Sequence, residues 1–166
     1  DEMHFPVLKI ASFEVIDTKL LEKVAKTGLP VIMSNGMTDF AELDEAVNVL
    51  RENGCKDIAL LHCNSGYPAA FSEANLKTMQ EIKNIYDCVV GVSDHTLFAD
   101  TDNYTEPVAH VTSIEAVRMG AKIIELHLML DRKKARALFD KNEGGFDWPF
   151  SREPAELKKM IGMIRE

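Results

Sequence analysis

The sequence predicts an α/β fold: a (β/α)8 TIM-type barrel, present here as a partial barrel of about five βα units. Three observations carry this. Short β-branched, apolar runs recur at residues 7–12, 30–34, 57–62, 89–93 and 122–127. Helix-spaced apolar stripes lie between them, a repeat of strand and helix that calls for parallel pairing. Polar residues then collect at the carboxyl ends of several runs, where a barrel of this kind builds its site.

Each element has a local reason. Leu20, Leu21, Val24 and Ala25 make the first stripe, stopped by Gly28 and Pro30. Phe40, Leu43, Ala46, Val47 and Leu50 make the second, with Thr38 or Asp39 as its cap and Asn53-Gly54 as its stop. Leu76, Met79, Ile82 and Ile85 form the third, and Ile114, Val117 and Met119 a shorter fourth ending at Gly120. Leu157, Met160, Ile161 and Ile164 form the last, entered through Pro154. Near-continuous apolar strands expect cover on both faces. A full barrel takes about 250 residues, so three units are expected to be missing, the first three, because the chain begins on a strand and ends on a helix. Residues 1–166 read as one domain. Two connections, 97–112 and 128–153, exceed the usual length and read as lids or substrate walls.

Composition narrows the function. Net charge is −8 with no basic run, which argues against nucleic-acid or anionic-membrane partners. No apolar run reaches the roughly 20 residues of a membrane span. The three cysteines (Cys55, Cys63, Cys88) include no CxxC pair, so reduced thiols and a cytoplasmic location are expected. No GxGxxG or Walker-type loop follows a strand.

Alternation along the strands sorts the polar groups. Ser93 and His95 share one face and Asp94 points to the other, while Glu125 and His127 share a face on the next strand. Two strand-end imidazoles suit a divalent transition metal, with Glu125 holding an imidazole or serving as a further ligand. The competing reading is two ordinary hydrogen-bonded histidines. His62 is a weaker candidate, and His4 and His110 are expected at the surface. Ser12, Ser34 and Ser93 each close a strand, and several such hydroxyls with Lys9 would hold a phosphate. Lys9 differs in parity from Ser12, so a bulge, a twist or its long reach must bring them together. Glu14 shares a face with Ser12 and is a candidate acid or base. Nothing beside Cys63 in sequence suggests an activated thiolate.

Taken together, the segments resemble the sialic acid synthase family, whose members make nonulosonic acids such as N-acetylneuraminate, legionaminate and pseudaminate. Lys9-Ile10-Ala11-Ser12-Phe13-Glu14, Ser34-Asn35-Gly36-Met37 and Leu61-His62-Cys63-Asn64-Ser65-Gly66-Tyr67-Pro68 are similar to three of its motifs. Gly91-Val92-Ser93-Asp94-His95-Thr96, Glu125-Leu126-His127 and the stretch from Asp147 to Ser151 are similar to three more, in the same order. Asn35 replaces the family's threonine and Leu126 a basic residue.

The resemblance implies condensation of phosphoenolpyruvate with an open-chain N-acetylated amino sugar. It implies His95 and His127 as ligands of a divalent metal such as Mn2+, with Mg2+ or Co2+ as alternatives. Lys9, Ser12, Ser34 and Ser93 would hold phosphoenolpyruvate, Glu14 would orient the attacking water, and Tyr67 and Asp147 would stand on the sugar side. It also implies a homodimer for the longer synthases, whose C-terminal antifreeze-like domain is expected to be missing here. Alternatives are another phosphoenolpyruvate-condensing 3-deoxy sugar acid synthase and a non-catalytic truncated half-barrel.

Overall fold

The computed structural model of the chain describes residues 5–98 and 110–166. Five strands, β1 (Leu8–Ile10), β2 (Val31–Ser34), β3 (Ile58–Cys63), β4 (Val89–Asp94) and β5 (Ile123–Leu126), form one sheet in sequential order. All four pairings are parallel. Six α-helices accompany them: α1 (Thr18–Ala25), α2 (Phe40–Glu52), α3 (Lys77–Tyr86), α4 (Val111–Arg118), α5 (Arg132–Asp140) and α6 (Pro154–Arg165). The structural part of the sequence reading is met: the described residues form an α/β half-barrel of five parallel strands.

Local chemistry explains the element ends. Asp39, rather than Thr38, caps α2 in a reciprocal box: Oδ1 accepts from Glu42 N at 2.9 Å, and Glu42 Oε2 accepts from Asp39 N at 2.9 Å. Helix α3 stops where Asp87 turns left-handed at φ 47°. Helix α6 begins with Pro154 in its first turn behind Glu153.

The register separates two faces. Pairing Ile10↔Met33, Met33↔Leu60 and Leu60↔Val90 sets one row, and these side chains join the buried cluster with Leu21, Val47, Leu50, Met79 and Ile82 from the helices. That is the helix-covered face. Residues one step along in each strand point the other way: Lys9, Ile32, Ser34, Ala59, Leu61, Cys63, Gly91, Ser93 and Glu125.

Three structural expectations need correction. Residues 128–153 are not an unstructured loop, because α5 lies within them. Asp131 supplies its N-cap by accepting from Lys134 N at 3.0 Å, and Leu138 and Phe139 fall at helix spacing after it. The first strand ends at Ile10, and Ser12–Glu14 form a 3-10 turn instead of extending it. His110 is buried, 1% exposed, with its ring 5.2 Å from that of Phe98 at the start of α4. His4 and residues 99–109, most of the first long connection, lie outside the described residues.

Candidate active site

The carboxyl ends of the strands carry the polar row that alternation predicts. Cys63, Ser93 and Glu125 are register partners on three neighbouring strands, so they stand side by side on the uncovered face. Two residues beyond Ser93 and Glu125, the chain delivers His95 and His127. With Lys9, Ala11, Ser12, Ser34 and Tyr67 these residues line a cavity of about 180 Å3. A larger cavity of about 520 Å3 sits at the opposite end of the strands, between Val7, Pro30, Lys56, Asp57 and Val89. Polar groups converge in the smaller one, which makes it the candidate site.

The two imidazoles face one another. Their ring centres lie 5.2 Å apart at 67°. His95 Nδ1 is 3.0 Å from the Asn64 carbonyl, which only accepts, so Nδ1 carries the proton and Nε2 is left to the cavity. His127 Nδ1 is 2.9 Å from Asp147 Oδ2, which selects the same tautomer. An imidazole bound through Nε2 puts its ring centre about 3.2 Å from a first-row ion, so two such rings sit about 4.5–5.2 Å apart at right or tetrahedral angles. The observed spacing fits a shared ion. Among the described residues no group of three or more His, Cys, Asp or Glu is arranged around a common point. The chain would therefore hold an ion with two imidazoles and leave its other positions open.

Glu125 does something other than hold an imidazole. Its Oε1 accepts from Ser93 Oγ at 2.7 Å, and its Oε2 pairs with Lys9 Nζ at 3.2 Å. Lys9 and Ser12 meet at the cavity despite their parity because the 3-10 turn redirects the chain after Ala11. Ser12 Oγ then accepts from Gly36 N at 3.0 Å. Ser34 Oγ is buried without a hydrogen-bond partner among the described residues, an acceptor and donor directed at the cavity.

Glu14 does not line this cavity. Its Oε2 accepts from Ala11 N at 2.8 Å and closes the turn that presents Ser12. His62 is also turned away, onto the helix-covered face, where Nε2 donates to the Ala74 carbonyl at 2.9 Å. Burial holds its pKa below the ordinary histidine value, against that hydrogen bond.

Two aromatic residues from the family-like stretches gather at the imidazoles, and two further features were missed or misjudged in sequence. Tyr67 lies over His95 with ring centres 4.2 Å apart, and buried Phe150 stands 4.9 Å from His127 and 5.8 Å from His95. Phe150 belongs to the Asp147–Ser151 stretch that resembles the family's last motif. Cys63 does have an imidazole beside it, with Sγ 3.5 Å from His95 Nδ1. Burial pushes the thiol up, but hydrogen bonds with His95 and Ser12 outweigh it and leave its pKa lowered. Burial likewise works against the His95 cation, and the bonds to Cys63 and Asn64 leave that pKa raised. Finally, Asp94 and Arg152 form a fully buried ion pair behind the site, Oδ2 to Nη2 at 3.5 Å.

The model of the NeuB family matches residues 1–166, the whole chain. The chain belongs to the NeuB family. Its NeuB relatives include the N,N'-diacetyllegionaminic acid synthase of Campylobacter jejuni, 40% identical across 100% of this chain and 44% of that protein. The pseudaminic acid synthase of Helicobacter pylori is 36% identical over 80% of this chain and 36% of its own length. In structure, this NeuB chain superposes on the N-acetylneuraminic acid synthetase of Leptospira borgpetersenii with a TM-score of 0.80 and 34% identity, covering 96% of this chain and 49% of the other. It shares its fold alone with a truncated 3-deoxy-D-arabino-heptulosonate 7-phosphate synthase of Thermotoga maritima, at a TM-score of 0.72 and 16% identity. The chain spans less than half the length of these two curated relatives. No described helix is long and apolar enough to cross a membrane.

Proposed function

We propose that this chain carries the metal and phosphoenolpyruvate half of a nonulosonic acid synthase site. The reaction condenses phosphoenolpyruvate with an open-chain, N-acetylmannosamine-like sugar and releases phosphate. The observation that carries the reading is the convergence of His95 and His127, both held as Nδ1–H tautomers, over a cavity lined by Lys9, Ser12, Ser34 and Ser93.

A divalent ion, Mn2+ in this reading, held by His95 Nε2 and His127 Nε2 would supply polarisation of the sugar aldehyde. Lys9 provides the positive charge and Ser12 and Ser34 the hydroxyl donors for phosphoenolpyruvate, while Ser93, whose hydroxyl hydrogen goes to Glu125, lines the same pocket beside them. Ser34, buried without a protein partner, gains one when substrate enters. Glu125 keeps Lys9 and Ser93 oriented towards that substrate. Glu14 enters through the turn it closes rather than through contact with the reacting carbons. Tyr67 and Asp147 stand on the sugar side, Asp147 also fixing His127. In the reaction C3 of phosphoenolpyruvate bonds to the aldehyde carbon, whose oxygen takes up a proton. Water adds at C2, and the bond from C2 to the phosphate oxygen breaks. A homodimer and a cytoplasmic location complete the reading, in keeping with the small-molecule biosynthesis named for the relatives.

The test is Mn2+ titration followed by electron paramagnetic resonance, with wild type, His95→Ala and His127→Ala compared. Wild type should bind one ion and each variant should lose it. Phosphate release from phosphoenolpyruvate should then respond to N-acetylmannosamine and not to pentose or tetrose phosphates. Equal Mn2+ binding in all three proteins would end the reading.

A further inference from the structure

Among the described residues the Arg152 side chain is fully buried, as is that of its partner Asp94, and it does not line the cavity of the candidate site. Its position is informative because it joins the two segments that carry the imidazoles. The backbone N–H of Arg152 donates to the His127 carbonyl at 2.8 Å. Its guanidinium pairs with Asp94, the residue immediately before His95, and Nη1 donates to the Phe150 carbonyl at 2.7 Å. Its Cζ lies 3.9 Å from the Phe98 ring centre, over the ring. Asp94 is itself anchored: Oδ1 accepts from Thr96 N and Thr96 Oγ1, and Oδ2 from Ser113 Oγ at 2.6 Å.

We propose that Arg152 is a positioning residue for the paired imidazoles: its buried guanidinium ties Asp94, on the strand end that carries His95, to the Phe150–Arg152 segment, whose backbone N–H at Arg152 holds the His127 carbonyl on the next strand end. Burying a guanidinium and a carboxylate is costly, and well-packed apolar side chains serve stability as well or better. A fork that bonds two groups in fixed directions does what an apolar residue does not: it fixes relative position. Both imidazoles hang within one residue of its anchors. Moving either anchor by about an ångström is enough to spoil a shared ligand geometry.

The inference rests on the metal reading of His95 and His127, and its test separates the two. Arg152→Leu leaves Asp94 buried and unpaired, so the decisive protein is the double variant Asp94→Asn/Arg152→Leu, with Arg152→Lys beside it. The first readout needs no metal: the imidazole 15N spectrum at about pH 8, well above the ordinary histidine pKa, assigned with His95→Gln and His127→Gln. Wild type should show both rings as fixed Nδ1–H tautomers, and the double variant should show them shifted and averaged while its melting transition stays cooperative. The second readout is Mn2+ affinity, expected to fall about tenfold or more, with Arg152→Lys in between. A cooperatively folded double variant with unchanged imidazole signals overturns the proposal and leaves Arg152 a packing residue. Wild type that binds no Mn2+ overturns the metal reading, and the metal-free spectra then decide Arg152 by themselves.

Discussion

Lys9 on β1 and Glu125 on β5 form an ion pair, Nζ to Oε2 at 3.2 Å, although their strands are the two outer strands of the sheet. Four strand spacings would set them about 19 Å apart in a flat sheet. The pair therefore reports that the sheet is strongly curled and that its concave face brings first and last strands within reach. That curl turns five strand ends into one site.

Glu125 is expected to matter more to substrate than to metal. It orients both Lys9 and Ser93, and charge-assisted hydrogen bonds of this kind contribute about 1.5–3 kcal/mol. Glu125→Ala should raise the Kd for phosphoenolpyruvate about tenfold or more and leave Mn2+ affinity within about twofold. Calorimetric titration with each ligand reads the two effects separately, and a matching loss of both affinities would contradict this division.

Asp147 should act on the metal. It holds His127 in one tautomer from 20 residues away in sequence. Asp147→Asn keeps the size but removes the charge that strengthens the imidazole as a ligand. Mn2+ affinity should drop by about 10–100-fold, with thermal stability little changed because the pair is partly solvent-exposed.

His62 makes stability depend on pH. Its pKa is lowered by burial in the folded chain, so the unfolded chain binds its proton more readily. Stability from this group is whole above the ordinary imidazole pKa of about 6.5 and falls as pH drops below it. Denaturant unfolding between about pH 5 and pH 8 should show this slope, and His62→Gln should flatten it. Parallel slopes in the two proteins would remove His62 as the cause.

Gly91 on β4 has no room for a side chain beside β5. A Cβ built there would run into the Ile123 carbonyl, and into Leu61 Cδ2 at 2.8 Å. Backbone cannot retreat as a flexible side chain would, so Gly91→Ala should cost about 1–3 kcal/mol. It should also weaken metal binding, because Ser93, His95 and Glu125 follow directly on the strands forced apart. A stability change under about 0.5 kcal/mol would show that the sheet gives way easily.

Much of the site was legible before folding because a strand has period two. That alternation set Ser93 with His95 and Glu125 with His127 on one face, and sent Asp94 to the other, where the structure finds it. Apolar spacing and caps located the strands and five of the six helices. Helix α5 escaped because its ten-residue neighbourhood is rich in charge and its apolar residues are few, though the Asp131 cap was there to read.

What the chain alone determined is therefore local: which segments are strands, which face each polar side chain takes, and that imidazoles and hydroxyls end together at one rim. Tertiary structure decided which of them touch. The turn that bends Ser12 towards Lys9, the pairing of Glu125 with Lys9 across the sheet, the imidazole beside Cys63 and the burial of Arg152 against Asp94 all depend on it. The physical reason is that alternation follows from backbone geometry within a few residues, whereas these contacts depend on sheet curvature and helix packing summed over the whole chain.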